Sequence, residues 1–199
     1  MILICGDSGS GKTCLSNKFG MPVLECDRYH KWERGDYHWK YYTHLNPAAN
    51  EINLMIDHVN RIKSGERIEF RDYNHSSGKF SNVEQLPTGD LVVCGLHAFA
   101  CSGIKIFVDT DHDLKSLWKI NRDFKDRGHS IRSILDKIDQ RKSDYENYIL
   151  PQMRQANYIV RHSWTIGVGI TTQIYDGETI TQMTEVDLID RVKNENRNL

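Results

Sequence analysis

The sequence predicts an α/β fold, a mostly parallel sheet flanked by helices. Short, wholly apolar segments alternate with segments whose apolar residues recur at helical spacing. The first apolar segment passes through a glycine-rich turn straight into a helical segment. The chain's 199 residues suit one domain with a substantial core, too few for two of ordinary size.

Residues 2–4 form a short buried-strand signal, interrupted at 6–11 by three glycines before a helical segment at 12–19. Residues 22–26 predict a second strand, and 27–45, polar and aromatic with little periodicity, a lid-like insertion near a ligand. Asn46-Pro47 predicts the cap and first-turn proline of a helix that buries Ile52, Met55, Ile56, Val59 and Ile62 and stops near Gly65. Residues 67–73 predict an edge strand with a turn at 74–78, and 91–95 and 104–109 two more strands, the first apolar throughout as a central parallel strand should be.

Leu114, Leu117, Trp118, Asn121 and Phe124 mark one face of a helix ending at Gly128, and a longer helix is expected over 131–156. Residues 158–160 give a fifth strand, and the alternation at 164–183 around Asp176-Gly177 predicts a hairpin. Thr184 to Asp187 predicts a capping box opening a final helix. The expected organisation is one domain over 1–199, with a lid-like segment at about 122–143 and a C-terminal hairpin and helix at 163–195.

Lys and Arg number 26 against 27 Asp and Glu, so no overall field favours nucleic acid or an anionic membrane, and neither is expected as a partner. The five cysteines are odd in number and contain no C-x-x-C pair, which predicts free thiols in a reducing compartment. With no basic segment before the first apolar run and no run near the roughly 20 residues a bilayer requires, a cytoplasmic protein is expected. A homo-oligomer is compatible with all of this.

Gly6-Asp7-Ser8-Gly9-Ser10-Gly11-Lys12-Thr13 matches G-x-x-x-x-G-K-[ST] in full, at the place where a strand turns into a helix. The glycines allow positive φ and let successive N–H groups converge on phosphate oxygens, while the helix start adds partial positive charge. Lys12 would bridge the β- and γ-phosphates and the Thr13 hydroxyl would ligate Mg²⁺, which makes ATP and Mg²⁺ the expected cofactors of a P-loop NTPase fold with a five-stranded, mostly parallel sheet.

The N-K-x-D motif of G domains is absent. Near the end of the second predicted strand lies Asp27-Arg28-Tyr29-His30-Lys31-Trp32-Glu33-Arg34, where an acid can take a hydroxyl proton and His30 and Arg34 can hold a polar or phosphorylated acceptor. On these residues alone a solvated loop of mixed charge is an equal alternative.

From residue 1 to about 161 the chain resembles the phosphoribulokinase and uridine kinase family, its phosphoribulokinase branch most closely. The stretches that carry the likeness are GDSGSGKT at 6–13, DRYHKWER at 27–34, THLNPAAN at 43–50, YNHSSGKF at 73–80, GLHAF at 95–99, WKINRDFKDRGHS at 118–130 and QRKSDYENYILPQ at 140–152. The resemblance implies a kinase that moves the γ-phosphoryl group of ATP to a hydroxyl of a small sugar phosphate such as ribulose 5-phosphate. It implies Asp27 as catalytic base, with Lys12, Arg122 and Asp123 also catalytic. Residues 6–13 with Cys14 and Arg127 would bind nucleotide, Thr13 and Asp27 the metal, and His30, Arg34, Tyr73, His75, Lys119, Arg122 and Arg127 the acceptor. His97 is expected to be packed or at the pocket rim.

Three departures stand out. Where the family reads V-x-E-G-L-H this chain reads Val92-Val93-Cys94-Gly95-Leu96-His97, so Cys94 takes the acidic position. Plant-type phosphoribulokinases are expected to continue with an additional C-terminal region where only a hairpin and one helix are read after residue 161, and Ser10 stands where redox-regulated enzymes carry a cysteine. The alternatives are a uridine or cytidine kinase and a nucleotide-binding regulator whose catalysis Cys94 has weakened; the aromatics of 35–45 suit stacking on a sugar or base ring, and equally the packing of their loop onto the domain.

Overall fold

The computed structural model describes residues 1–125, 128 and 130–198. Its strands and helices, in chain order, are β1 (Ile2–Gly6), α1 (Lys12–Lys18), β2 (Val23–Glu25), α2 (Ile52–Lys63), β3 (Glu69–Asn74), β4 (Lys79–Gln85), β5 (Val92–Cys94), β6 (Ile104–Thr110), α3 (His112–Lys125), α4 (Ile131–Asp144), β7 (Tyr158–Thr165), β8 (Gly169–Asp176), β9 (Thr179–Thr181) and α5 (Glu185–Arg197). The main sheet has the order β2-β5-β1-β6-β7-β8-β9. Its first five strands are parallel, as the sequence predicts.

Strand parity divides the core. Leu3 and Cys5 of β1 face one side with Met55, Val59 and Ile62 of α2. Ile2 and Ile4 face the other with Leu15, Phe19, Leu188 and Val192 from the α1 and α5 layer. Both faces of β1 are therefore buried, which is why it reads as an unbroken apolar run. The chain leaves β1 toward β2 on one side, while β6 lies on the other, so a crevice opens at the carboxyl ends of the strands.

Three expectations need correction. Asn46 caps only a single 3₁₀ turn, Pro47–Ala49. The amide of Asn50 donates to the carbonyls of His44 and Asn46 while its backbone is extended, so α2 begins at Ile52. The strand expected at 67–73 and its turn at 74–78 both form, β3 pairing with β4 in a two-stranded ribbon apart from the main sheet. The expected C-terminal hairpin forms, with Asp176-Gly177 turning between β8 and β9, and because β8 pairs with β7 it brings the main sheet to seven strands where five were expected. The helix expected over 131–156 keeps its α form only to Asp144, then passes through a π turn (Tyr145–Ile149) and a 3₁₀ segment (Leu150–Gln155). Pro151 has no N–H to give and its ring clashes with the preceding turn, so the α ladder cannot continue.

The capping box at Thr184 and Asp187 forms with both bonds present, and all five cysteines are free thiols. Among the described residues no helix is long and apolar enough to cross a membrane.

Candidate active site

The loop from Gly6 to Gly11 leaves the end of β1 with Gly6, Gly9 and Gly11 at positive φ. At Gly6 a side chain is also excluded by contact, since a Cβ would lie 2.3 Å from the carbonyl oxygen of Val108 on β6. Gly11, at φ 95°, is the N-cap of α1. Thr110 Oγ1 donates to the Ser10 carbonyl (2.9 Å) and anchors the loop to β6. Lys12 Nζ donates to the carbonyl of Asp7 (2.6 Å), and the Asp7 carboxylate pairs with Lys115 (2.9 Å) and faces Arg141 (3.9 Å). Burial disfavours the Asp7 carboxylate, but Arg141 and Lys115 outweigh it and its carboxyl titrates below the ordinary range.

A cavity of about 410 Å³ opens beside this loop, lined by Ser8, Lys12 and Thr13 on one side and by Asp27, His30, Arg34, Tyr73 and His75 on the other. Asp27 sits in a single 3₁₀ turn, Cys26–Tyr29, directly after β2. Its Oδ1 lies 3.5 Å from His30 Nε2 and its Oδ2 3.4 Å from His75 Nε2. Burial opposes its ionisation, but His30, His75, His44 and Lys12 outweigh it and hold the carboxyl down at about 2. Burial pushes His44 well below the usual imidazole range, so its share of that support arises only in acid.

The tautomer of His30 follows from its neighbours. Both donors of the Asn50 amide are engaged, so its oxygen accepts from His30 Nδ1 (2.8 Å), which turns Nε2 toward Asp27. Arg34 is less free than expected. Its guanidinium donates to the carbonyls of Ser76 (2.8 Å) and His75 (2.7 Å), so it braces the β3–β4 turn that carries His75 while still lining the cavity.

From α3, Lys119 donates to Asp123 (3.0 Å) and Arg122 pairs with the other oxygen of the same carboxylate (2.8 Å), with Ser8 Oγ within reach of both cations. Burial, then the charge of Arg141, lowers Lys119 to about 8 despite its pairing with Asp123. Lys12, Thr13, Asp27, His30, Arg34, Tyr73, His75, Lys119, Arg122 and Asp123 thus share one cavity. Cys14 does not join them: it is exposed and absent from the lining. Arg127 lies outside the described residues. His97 is buried, its imidazole driven down to about 4 by burial.

Sequence reasoning missed Arg141, Lys137 and Glu25, all of which line the cavity. Arg141 is in the QRKSDY run and Glu25 two residues before Asp27, but no periodicity marks either as facing a ligand. Burial pushes the Cys94 thiol up to about 11, so it is neutral in the cavity wall.

Residues 1–167 match the model of the Phosphoribulokinase / Uridine kinase family. The chain belongs to that family. It is 33% identical over 175 residues to a phosphoribulokinase of Synechocystis, an alignment covering 81% of this chain and 53% of the relative. With a uridine kinase of Borrelia turicatae it shares 28% identity over 176 residues, covering 80% of this chain and 85% of the relative. The phosphoribulokinase of Rhodobacter spheroides superposes with a TM-score of 0.64 at 21% identity, over 83% of this chain and 71% of that one, and shares the fold. The chain spans about half the length of the phosphoribulokinases it matches. The phosphate loop and the cavity beside it both lie within the part matched to the family.

Proposed function

We propose that the protein is an ATP-dependent kinase whose acceptor is a hydroxyl of a small sugar phosphate of the ribulose 5-phosphate kind. The observation that carries this reading is the placement of Asp27, held ionised, across one cavity from Lys12 and the phosphate loop. A carboxylate there can take the proton of an attacking hydroxyl, and Lys12 with the loop amides can grip the polyphosphate. Arg122 is paired to Asp123 and near Ser8, and on this reading its guanidinium would offset charge on the transferring group.

The donor set suits Mg²⁺ in part. Thr13 and Asp27 offer hard oxygens, whereas the neutral Cys94 thiol does not. Among the described residues no group of three or more His, Cys, Asp and Glu forms a metal cage, and an ion shared with nucleotide phosphates does not require one. When bound, the ion would neutralise phosphate charge; the chain's own residues orient the acceptor and receive its proton.

A phosphorylated acceptor is favoured by charge. Among the described residues, Lys12, Arg34, Lys119, Arg122, Lys137 and Arg141 line the cavity against Glu25, Asp27 and Asp123. A nucleoside acceptor is the second reading, supported by Trp39, Tyr42 and Tyr73 in the same wall, on which a base could stack. ADP release measured with ribulose 5-phosphate, uridine, cytidine and other sugar phosphates separates the two. Turnover with nucleosides alone defeats the sugar-phosphate reading, and nucleotide binding without turnover on any of them points to a regulator.

A further inference from the structure

We propose that Lys137, on α4, is the ligand of the acceptor's own phosphate group, and the residue by which the site selects a phosphorylated acceptor over a nucleoside. The proposal rests on the kinase reading and deepens it, through a residue that no motif of the sequence marks.

One face of α4 is turned to the cavity. Ile134, Lys137, Arg141 and Asp144 recur at spacings of three, four and three, which places them in one row along the helix. The first three line the cavity. The Asp144 carboxylate accepts from Thr43 Oγ1 (2.7 Å), which holds the row against the segment that carries Trp39, Tyr42 and His44 into the opposite wall. Lys137 is therefore on the Asp27 side of the cavity. Burial first, then the charges of His30 and Arg141, hold the His44 imidazole down, and the charge of Lys137 adds to them, as a cation close to that ring must.

The other cations of the cavity are already engaged. Lys12 donates to the Asp7 carbonyl and Arg34 to the carbonyls of His75 and Ser76. Lys119 and Arg122 pair with Asp123, and Arg141 faces Asp7. Lys137 is exposed and, among the described residues, has no hydrogen-bond or ion-pair partner, so its charge is the one left to meet an incoming anion. A compact ammonium on a flexible stem suits a terminal phosphate, which it can follow without the fixed geometry of a guanidinium fork. His44, kept neutral, cannot supply that charge. A nucleoside carries no anionic group for Lys137 to pair with.

The test is steady-state ADP release by the full chain with ribulose 5-phosphate as acceptor. Lys137→Met, close in shape but uncharged, is expected to raise the KM for ribulose 5-phosphate about ten- to a hundredfold, the loss of one hydrogen bond to a charged group. In the same variant kcat should fall by no more than a few-fold and ADP affinity should be kept. Lys137→Arg should restore most of the lost KM, and Lys137→Glu should raise it further. An unchanged KM in Lys137→Met, or an equal loss of ADP affinity, overturns the proposal, while turnover of ribulose 5-phosphate by the wild type leaves the kinase reading standing. A wild-type chain that turns over neither ribulose 5-phosphate nor any other sugar phosphate overturns both.

Discussion

Replacing Asp27 by Asn removes the charge that His30 and His75 face across the cavity. Ionisation of this carboxyl is favoured by roughly two pH units, from an ordinary 3.8 to about 2. At about 1.4 kcal/mol per unit this is near 2.5 kcal/mol, and the 31% exposure of the side chain reduces it to about 1–2 kcal/mol through solvent screening. A lowered carboxyl pKa stabilises the fold above the unfolded value, and that stability is lost as pH falls through the folded one. Urea unfolding should therefore show wild type more stable than Asp27→Asn by about 1–2 kcal/mol at pH 5. The gap should close progressively between pH 4 and pH 2. On the proposed reading of Asp27 as the base, its removal should also lower kcat by about 10²–10⁴ with ADP affinity kept. Turnover within a few-fold of wild type, or a stability gap that persists at pH 2, would refute the reasoning.

Gly6→Ala would drive a methyl group into the Val108 carbonyl at positive φ, and a loss of at least about 2 kcal/mol should lower Tm by roughly 4–8 °C in calorimetry. Lys119, lowered to about 8, is cationic below that pH and neutral above it, so kcat/KM for ATP should fall on the alkaline side near pH 8. In Lys119→Arg, whose guanidinium stays charged, that alkaline fall should move up or vanish. Arg34→Ala frees the turn bearing His75, and the acceptor KM should rise about tenfold with ADP affinity unchanged; an equal loss of ADP binding would show that Arg34 does not act through the acceptor half.

Local chemistry was enough to read the phosphate-loop motif. Residues 2–13 contain, without a gap, the strand, the glycines that must adopt positive φ and the lysine and threonine that follow, so their geometry depends on near neighbours. The same holds for the Thr184 capping box and for Asp27, which lies immediately after β2. The cluster around Asp27 was legible only in pieces. His30 and His75 stand 45 positions apart in the chain and meet across Asp27 because the β3–β4 ribbon folds over the end of β2, and Arg34 is tied to that ribbon by carbonyls no pattern predicts.

The amino-acid sequence by itself determined the alternation of strands and helices, the phosphate loop and the family, since each depends on residues close together in the chain or on motifs in fixed order. Tertiary structure alone decided that β5 lies between β2 and β1, and so that Glu25 stands beside Cys94. It also decided that Arg141 reaches back to Asp7 from α4. Strand order and helix docking follow from which apolar faces pack together across the whole chain, and periodicity carries no record of that choice.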